Sequence, residues 1–443
     1  MKKLLMIVLL ILLPSACLAD VGSRFDSWVA PLVEDRHLAG AVLVKHRGEV
    51  LLHRAYGEAD RERRLANRVT SRFAVGSISK QFTAAAILRL RDGGRLRLDD
   101  PVARYLSVET ATARAVRVID LLNHRSGIRR DLPEDWPEKS RLETCRRLLD
   151  AEPEFDPGSR TSYSNGGFVV LACVVEAVTE ESFEEHLRRT LFRPLGLSGT
   201  DVWDGLEGLA QQAVGYDPGG PRGELRPAPR RRLRHPGADG VVSTVADLAR
   251  WTEALVAGEV LSERSTAEML GDAGNGRGFG VAFYRRAGRS VIGHDGVTTG
   301  YTAFLEWYPQ DELLVAYAGN IRTSGFEFLE DALPRLVLGG ELPELDHPRR
   351  GLSWGRDDSL TGKYPVHDGL EIDIVRHSRG LELKGTGGYF TPLLEVGEDA
   401  YWYPALFARV RPLRNAHGEV TALQWRSVHG QEFEIPRRPP LQP

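Results

Sequence analysis

The amino-acid sequence predicts an α+β fold: an antiparallel sheet flanked by helices, beside an all-helical lobe, followed by a small all-β module. Three features predict this class. Two pairs of apolar strands joined by short turns lie near opposite ends of the first 340 residues. The residues between them have mainly helical periodicity. From about residue 351, short alternating runs separated by turn residues replace the helical pattern.

Two predicted hairpins define the sheet. The first, AGAVLVKHRGEVLLHRAYG at residues 39–57, turns at Arg47 and Gly48. The second, GYTAFLEWYPQDELLVAYAGN at residues 300–320, turns at residues 309–311. Helical patterns occur at residues 24–35, 81–91, 118–123, 142–150, 168–178, 246–257 and 326–338. We therefore expect the terminal helices to cover the sheet and the central ones to form the lobe.

A segment rich in glycine and proline, GGELPELDHPRRG at residues 339–351, divides the chain. We predict one domain at residues 20–345 and a small β-barrel-like domain at residues 350–443. Runs such as LEIDIVRHSRGLELK and EVTALQWRSV are typical of a small barrel or sandwich. Its role is open between a packing partner, a lid over the cleft and a wall-binding unit.

The charge balance argues against a nucleic-acid partner. The 443 residues carry 58 basic and 61 acidic side chains, for a formal net charge of -3. Such a chain has no overall positive field. One basic stretch lies among prolines and glycines, and we interpret it as a solvated loop. Its members are Arg222, Arg226, Arg230, Arg231, Arg232 and Arg234.

Residues 1–19 are interpreted as a secretory signal peptide. Two lysines precede an apolar run at residues 4–13, which is too short to cross a bilayer. Cleavage after Ala19 predicts a secreted or periplasmic protein. Cys17 leaves a lipoprotein open as an alternative, although Pro14 stands where a lipobox normally has leucine. A membrane is an expected partner only if Cys17 is lipidated.

The two remaining cysteines are expected to be buried thiols. Cys145 shares helical spacing with Leu142 and Leu149, and Cys173 lies in the apolar run FVVLACVVEAV. A disulfide between them is the less favoured alternative, which an oxidising compartment permits. No Cys/His spacing is typical of a metal site, so we predict no metal and no cofactor.

The lysines of this chain are few enough to be informative. Only seven occur among the 58 basic residues, and Lys80 follows Ser77 by three positions. That spacing places both side chains on one face of a helix. A desolvated lysine can lose its proton and act as a base, whereas an arginine cannot. Ser-x-x-Lys also arises by chance, so this pair alone is weak evidence for a nucleophile and its base.

Two further motifs contain residues suited to the same chemistry. Tyr163-Ser164-Asn165 precedes a predicted helix, where the phenol can shuttle a proton if a nearby ammonium lowers its pKa. The alternative is a simple helix-capping turn. His294-Asp295-Gly296 is predicted at the start of a strand, where the N–H of Val297 can join that of Ser77 as an oxyanion hole. The alternative there is an ordinary polar strand entry.

Taken together, these motifs resemble one family, the serine β-lactamases and penicillin-binding-protein-like hydrolases, and within it the class C-like branch. The similarity covers roughly residues 24–340. Matching segments in family order are FAVGSISKQFTAAAILRLRDGGRLRLDDPVARYL, IDLLNHRSGI, PGSRTSYSNGGFVVLACVVEAV, LFRPLGLSGTDV and GVVSTVADLARW. The resemblance implies a β-lactamase/transpeptidase-like fold with the site between its lobes.

The resemblance also implies a role for each motif residue. The implied catalytic residues are Ser77 as nucleophile, Lys80 as base and Tyr163 as proton shuttle. The implied substrate-binding residues are Asn165, His294, Gly296 and Val297. The third motif departs from the family pattern, because histidine replaces the lysine that faces a β-lactam carboxylate. H-x-G forms occur in relatives resembling D-Ala-D-Ala carboxypeptidases, D-aminopeptidases and esterases, so efficient β-lactamase activity is not expected.

We therefore expect a secreted serine hydrolase that forms an acyl-enzyme on Ser77. Its expected substrate is an amide or ester, above all a D-amino-acid peptide, with peptidoglycan-derived peptides included. Alternatives are an esterase, a weak class C-like β-lactamase and a catalytically silent envelope scaffold. Loops at residues 131–140 and 217–236 are expected to set specificity. The stretch at residues 384–387, KGTG, is interpreted as a strand end and turn rather than a third motif.

Overall fold

A computed structural model describes most of the chain. The described residues are 15–132, 140–205, 208–218, 225–229, 235–272, 274–345, 352–367, 370–384, 390–427 and 430–438. Most of the predicted signal peptide, most of the basic stretch, and residues 385–387 of the KGTG stretch lie outside them. Parts of both predicted specificity loops lie outside as well. No helix within the described ranges is both long enough and apolar enough to cross a membrane.

Six of the seven predicted helices lie within about three residues of their predicted bounds, whereas the first begins at Ser15, nine residues before its predicted start. The helices are α1 Ser15–Glu34, α2 Ser79–Asp92, α3 Ala103–Leu106, α4 Ala111–Ala115, α5 Val118–Leu122, α6 Arg141–Asp150, α7 Asn165–Thr179, α8 Phe183–Leu187, α9 Val245–Val256, α10 Glu263–Met269 and α11 Glu327–Leu338. A short 3-10 turn over Gly76–Ile78 leads directly into α2. All seven predicted helices are present, and the added ones are short.

The strands fall into a central sheet, three small sheets and the C-terminal module. The first nine are β1 Gly40–His46, β2 Glu49–Tyr56, β3 Glu58–Asp60, β4 Leu65–Ala66, β5 Phe73–Ala74, β6 Asp201–Val202, β7 Tyr216–Pro218, β8 Leu225–Pro227 and β9 Val241–Ser243. The next four are β10 Ala282–Arg286, β11 Arg289–Thr298, β12 Tyr301–Tyr308 and β13 Leu313–Gly319. The module contains β14 Gly362–His367, β15 Leu370–His377, β16 Gly380–Lys384, β17 Phe390–Pro392, β18 Leu394–Gly397, β19 Ala400–Tyr403, β20 Ala408–Arg414, β21 Val420–Arg426 and β22 Glu432–Pro436.

The predicted hairpins join in one antiparallel sheet. Its strand order is β10-β11-β12-β13-β1-β2, so β1 lies beside β13 and connects the two ends of the first domain. Along β1, Ala41 and Leu43 face the helical lobe, whereas Val42 and Val44 pack under α1 and α11. Burial on both faces explains why β1 is apolar at successive positions.

Helix α2 forms the centre of the lobe, and it carries Lys80 in its first turn. Eleven of its 14 residues are buried, so it is packed on nearly every side. Phe82 packs on Trp251 of α9 with ring centroids 4.4 Å apart, and Trp251 donates to Gln81 Oε1 at 2.8 Å. This dense packing holds the start of α2 in place and keeps water from the residues beneath it.

The C-terminal module is an antiparallel meander with its own apolar core. Strands β14–β17 and β18–β22 each pair with the next strand in sequence, and Arg438 N donates to Lys363 O at 2.7 Å near the two ends. The module packs on the sheet face that α1 and α11 cover. There Phe407 lies 5.7 Å from Phe328 and 4.9 Å from His37 between ring centroids. These contacts favour the packing role among the three left open.

The expectation of two free thiols is wrong, because Cys145 of α6 and Cys173 of α7 form a disulfide. Both lie on apolar helix faces, as predicted, and these two faces pack against each other. Leu149 is fully buried on that face, but Leu142 is 44% exposed, so the predicted apolar spacing was only half right. The bridge holds α6 against α7, the helix that begins at Asn165.

Replacing Cys145 and Cys173 together by serine should lower the free energy of unfolding by about 3 kcal/mol. The bridge joins residues 28 positions apart and restricts the unfolded chain accordingly. Urea unfolding of the oxidised protein and the double variant measures the difference. Wild type treated with reductant is the matched control and should approach the variant. Equal urea midpoints for the oxidised protein and the double variant would contradict the expected stabilisation by the disulfide.

Candidate active site

Three separate chain segments bring the predicted site residues together. Ser77 lies in the 3-10 turn before α2, and Lys80 lies one turn further on. Tyr163 and Asn165 flank the start of α7. The third motif lies in the second half of β11 rather than at the start of a strand, because the strand already begins at Arg289.

Lys80 is fully buried and donates three hydrogen bonds. Its Nζ lies 2.9 Å from Ser77 Oγ, 2.8 Å from Asn165 Oδ1 and 2.8 Å from the carbonyl oxygen of Ala238. Burial lowers the pKa of Lys80 from 10.5 to about 7, against the opposing effect of nearby Asp239 and other carboxylates. The neutral amine is therefore accessible near neutral pH.

The same three contacts also suit the neutral amine. After losing one proton, Lys80 still has two N–H groups for Asn165 Oδ1 and the Ala238 carbonyl, which can only accept. Its lone pair then points to Ser77, whose hydroxyl can donate as well as accept. In that state the Ser77 hydroxyl faces the lone pair of Lys80, which is the arrangement that a nucleophile and its general base require.

Tyr163 contacts the nucleophile from another direction. Its hydroxyl donates to Ser77 Oγ at 2.7 Å, and its ring stacks on His124 with centroids 4.5 Å apart. Lys80 Nζ lies 4.9 Å from the ring centroid, yet the expected lowering of the phenol pKa does not occur. Burial outweighs the nearby cations and raises the pKa of Tyr163, so the phenol keeps its proton.

Ser164 explains how both neighbours reach the site. It caps α7 by accepting from Gly167 N at 2.8 Å, and it donates to Arg129 O at 3.0 Å. Its own N–H donates to Nδ1 of buried His124 at 3.1 Å. The helix-capping alternative is thus correct for Ser164 itself. Because this cap fixes the turn, it places Tyr163 in contact with Ser77 and Asn165 in contact with Lys80.

Two carboxylates near the lysine were not found from the sequence. Asn165 donates through Nδ2 to Asp131 Oδ1 at 2.7 Å, so its amide bridges Lys80 and Asp131. Asp239 follows Ala238, and burial raises its pKa to about 7. Both carboxylates favour the ammonium form of Lys80. Each is a polar loop residue, and neither has a local pattern that distinguishes it in one sequence.

His294 does not supply a positive charge to the third motif. Its side chain is buried, and burial lowers its pKa below the ordinary value of 6.5. Its Nδ1 lies 2.5 Å from the carbonyl oxygen of Asp295 and must donate to it, because a carbonyl oxygen only accepts. The lowered pKa favours the neutral form of His294, in which Nδ1 carries the proton and Nε2 is an acceptor. The cation that the family motif usually supplies is missing at this position.

Gly296 lets β11 contact the turn that carries the nucleophile. A methyl group at Gly296 would lie 1.9 Å from Val75 O and 3.2 Å from Ser77 N. Gly76 makes the reciprocal approach at φ +52°, and its methyl group would lie 2.7 Å from Val297 N. Only glycine fits at either position. The backbone N–H groups of Ser77 and Val297 consequently lie on neighbouring segments, as an oxyanion hole requires.

Charged side chains surround the mouth of this site. The guanidinium carbons of Arg277 and Arg130 lie 5.0 and 5.3 Å from the Tyr163 ring centroid. Asp295 is 66% exposed beside His294. Sequence reasoning singled out neither arginine, because both lie in loops that approach the site only in three dimensions. Within the described residues, no group of His, Cys, Asp and Glu is arranged to hold a metal ion.

Comparisons with known proteins agree with this architecture. The family model described as Beta-lactamase matches residues 25–339. Putative penicillin-binding protein PbpX of Bacillus subtilis is 26% identical over 293 residues, covering 65% of this chain and 71% of that protein. D-aminopeptidase of Brucella anthropi is 28% identical over 330 residues, covering 71% of this chain but only 62% of that protein. The octameric penicillin-binding protein homologue from Pyrococcus abyssi has the same fold, with a TM-score of 0.64, 22% identity, and coverage of 93% and 99%.

The Gly296→Ala variant should lose about a hundred-fold in kcat, the cost of losing one oxyanion donor. The added methyl group overlaps Val75 O and pushes β11 away from Ser77. Gly397→Ala is the matched control, because a methyl group there meets only Ala400 Cβ, at 3.9 Å. Steady-state hydrolysis of a p-nitrophenyl ester and a thermal melt separate catalysis from folding. Wild-type kcat in Gly296→Ala would disprove this arrangement.

Asp131→Asn should move the acidic limb of the kcat/KM profile to lower pH. The substitution keeps an oxygen for Asn165 but removes a negative charge that raises the pKa of Lys80. More lysine is then neutral at any given pH, and activity persists at lower pH. Asp26→Asn, on the opposite face of the sheet, is the control and should leave the limb in place. A limb that moves to higher pH would contradict the assignment of Lys80 as the base.

Proposed function

Since the chain belongs to the beta-lactamase family of serine hydrolases, we propose that it forms an acyl-enzyme on Ser77 and cleaves amide or ester bonds of D-amino-acid compounds. One observation carries this proposal. Ser77 Oγ lies 2.9 Å from the amine of a fully buried lysine and 2.7 Å from a protonated phenol. A nucleophile between a base and an acid is the arrangement that acyl transfer needs.

Acylation begins with proton transfer from Ser77 to neutral Lys80. Oγ then bonds to the substrate carbonyl carbon, and the carbonyl oxygen becomes an oxyanion held by the N–H groups of Ser77 and Val297. Collapse of this intermediate breaks the bond to the leaving group. Tyr163, which burial keeps protonated, gives its proton to the departing nitrogen or oxygen.

Deacylation uses the same groups in reverse. The proton on Lys80 restores the phenol of Tyr163, and the lysine is again neutral. A water molecule then attacks the ester carbonyl while neutral Lys80 takes its proton. The bond to Ser77 Oγ breaks, Oγ regains a proton, and the acid is released. Asn165 takes part indirectly, because its amide keeps Lys80 directed at Ser77 through a 2.8 Å contact.

The third motif and the relatives both support the proposed substrate class. A buried, neutral His294 gives weak attraction for the carboxylate next to a β-lactam ring, which argues against efficient β-lactam hydrolysis. One curated relative is called a D-aminopeptidase. These two points favour D-configured amides and peptides over β-lactams. The silent-scaffold alternative is disfavoured, because every group needed for acyl transfer is present and in contact.

Ser77→Ala should reduce kcat/KM at least about a thousand-fold on a p-nitrophenyl ester and on a D-alanine anilide, because it removes the proposed nucleophile. Ser378→Ala, at an exposed turn of the C-terminal module, is the control. Intact-mass measurement during turnover should find the acyl group on wild type and Ser378→Ala only. Undiminished turnover by Ser77→Ala would refute the proposal. Cleavage of the ester without the anilide would instead favour the esterase.

A further inference from the structure

A buried histidine that the proposed acyl transfer does not use lies in the segment IDLLNHRSGI. His124 is 2% exposed and follows α5 with φ +56°, in the left-handed region where side chains are disfavoured. Arg125 N donates to Asp120 O at 2.7 Å and His124 N donates to Leu121 O at 3.2 Å, which is the helix ending that usually contains glycine at this position. A buried side chain at a position that favours glycine indicates a role for that side chain.

His124 contacts three successive residues around the catalytic phenol. Its carbonyl oxygen accepts from Ser162 N at 2.8 Å, and its Nδ1 accepts from Ser164 N at 3.1 Å. Between these two bonds, its ring stacks on the ring of Tyr163, with centroids 4.5 Å apart and planes inclined by 29°. One residue therefore holds the backbone on both sides of Tyr163 and the aromatic ring itself.

These contacts require the neutral form of His124. A backbone N–H only donates, so Nδ1 must accept and the ring proton is on Nε2. Burial lowers the pKa of His124 well below the ordinary 6.5, and the charges of Lys80 on α2, Arg277 in the loop before β10 and His294 on β11 act in the same direction. The imidazole is therefore neutral near neutral pH, and the stacking contact is to the ring of Tyr163.

On the basis of the proposed acyl transfer by Ser77, we infer that His124 is a positioning residue that holds the Tyr163 hydroxyl on Ser77 Oγ for protonation of the leaving group. That hydroxyl lies 2.7 Å from Ser77 Oγ. A general acid must be within hydrogen-bond reach of the atom that it protonates, and a small displacement slows the reaction strongly. His124 acts through the phenol and takes no proton itself.

Two substrates with the same acyl group and different leaving groups test this role. They are the p-nitrophenyl ester and the anilide of D-alanine. The anilide nitrogen needs a proton to leave, whereas p-nitrophenolate is a stable anion that leaves without one. For His124→Gly we expect kcat/KM to fall about a hundred-fold on the anilide and at most about three-fold on the ester. A loss of folded protein alone would lower both constants by the same factor and leave their ratio unchanged.

Three substitutions separate the contributions of the turn, the hydrogen bond and the ring. His124→Gly keeps the left-handed turn and removes both side-chain contacts. His124→Asn also tolerates this turn and supplies an oxygen acceptor for Ser164 N, but it lacks the ring. His124→Phe supplies a ring to stack on Tyr163, but it has no acceptor. We expect His124→Asn and His124→Phe each to recover part of the anilide activity.

A second substitution tests whether His124 acts through the phenol. Tyr163→Phe should lower the ratio of anilide to ester kcat/KM by itself, and adding His124→Gly should lower this ratio no further. His186→Asn is the control for loss of a buried imidazole, because His186 is 3% exposed and pairs with Glu181. Glu180→Gly, at φ +61° after α7, is the control for the backbone change. Both controls should keep the wild-type ratio.

The outcomes distinguish positioning by His124 from the proposed function. A wild-type ratio in His124→Gly or His124→Asn, or a further fall of the ratio in the double variant, would overturn positioning through Tyr163 while Ser77 chemistry stands. If no variant folds, nitrogen NMR of labelled histidine in the wild-type protein decides, because a protonated His124 or a proton on Nδ1 would equally overturn it. Ester hydrolysis that persists undiminished in Ser77→Ala would instead remove the proposed function.

Discussion

The three hydrogen bonds donated by Lys80 are the interaction on which the rest of the site depends. Their acceptors lie in the turn before α2, at the start of α7 and in the loop before β9, so one amine joins three distant segments. A buried ammonium with an unmet donor costs several kcal/mol. The fold must therefore hold all three acceptors in place, and the dense packing of α2 and the cap of α7 by Ser164 do this.

The protonation state of each ionisable side chain in the site depends on how deeply that side chain is buried. At the bottom, burial keeps Tyr163 protonated and His294 neutral, and it brings Lys80 into the range where a base is useful. At the mouth, Arg277 is half-buried and Asp295 is exposed, so both side chains lie closer to solvent than Lys80 and Tyr163. Because histidine replaces the lysine of the usual third motif, a positive charge is missing from the inner part of the site.

The sequence was sufficient for the fold and for the three motifs, because helical and strand periodicities are local signals and the motifs are short. It was insufficient where two distant segments meet. Apolar spacing identified the buried faces of α6 and α7 but not their mutual rotation, so pairing of Cys145 with Cys173 was missed. Asp131 and Arg277 are polar loop residues, and only tertiary contacts bring them to Lys80 and Tyr163. The direction in which the pKa of Tyr163 shifts depends on how deeply its side chain is buried, and a single sequence does not reveal that depth.

The close approach of Gly76 and Gly296 has a consequence for how this protein acquires its activity. The turn at Gly76 belongs to the early part of the first domain, whereas Gly296 lies in a hairpin made near its end. A partly folded chain with collapsed helices but an incomplete sheet has Ser77 and Lys80 together and no second oxyanion donor. Such contacts between distant segments form slowly. The rate at which turnover recovers during refolding therefore reports when the last strands join the sheet. Spectroscopic signals from the helices do not detect that step.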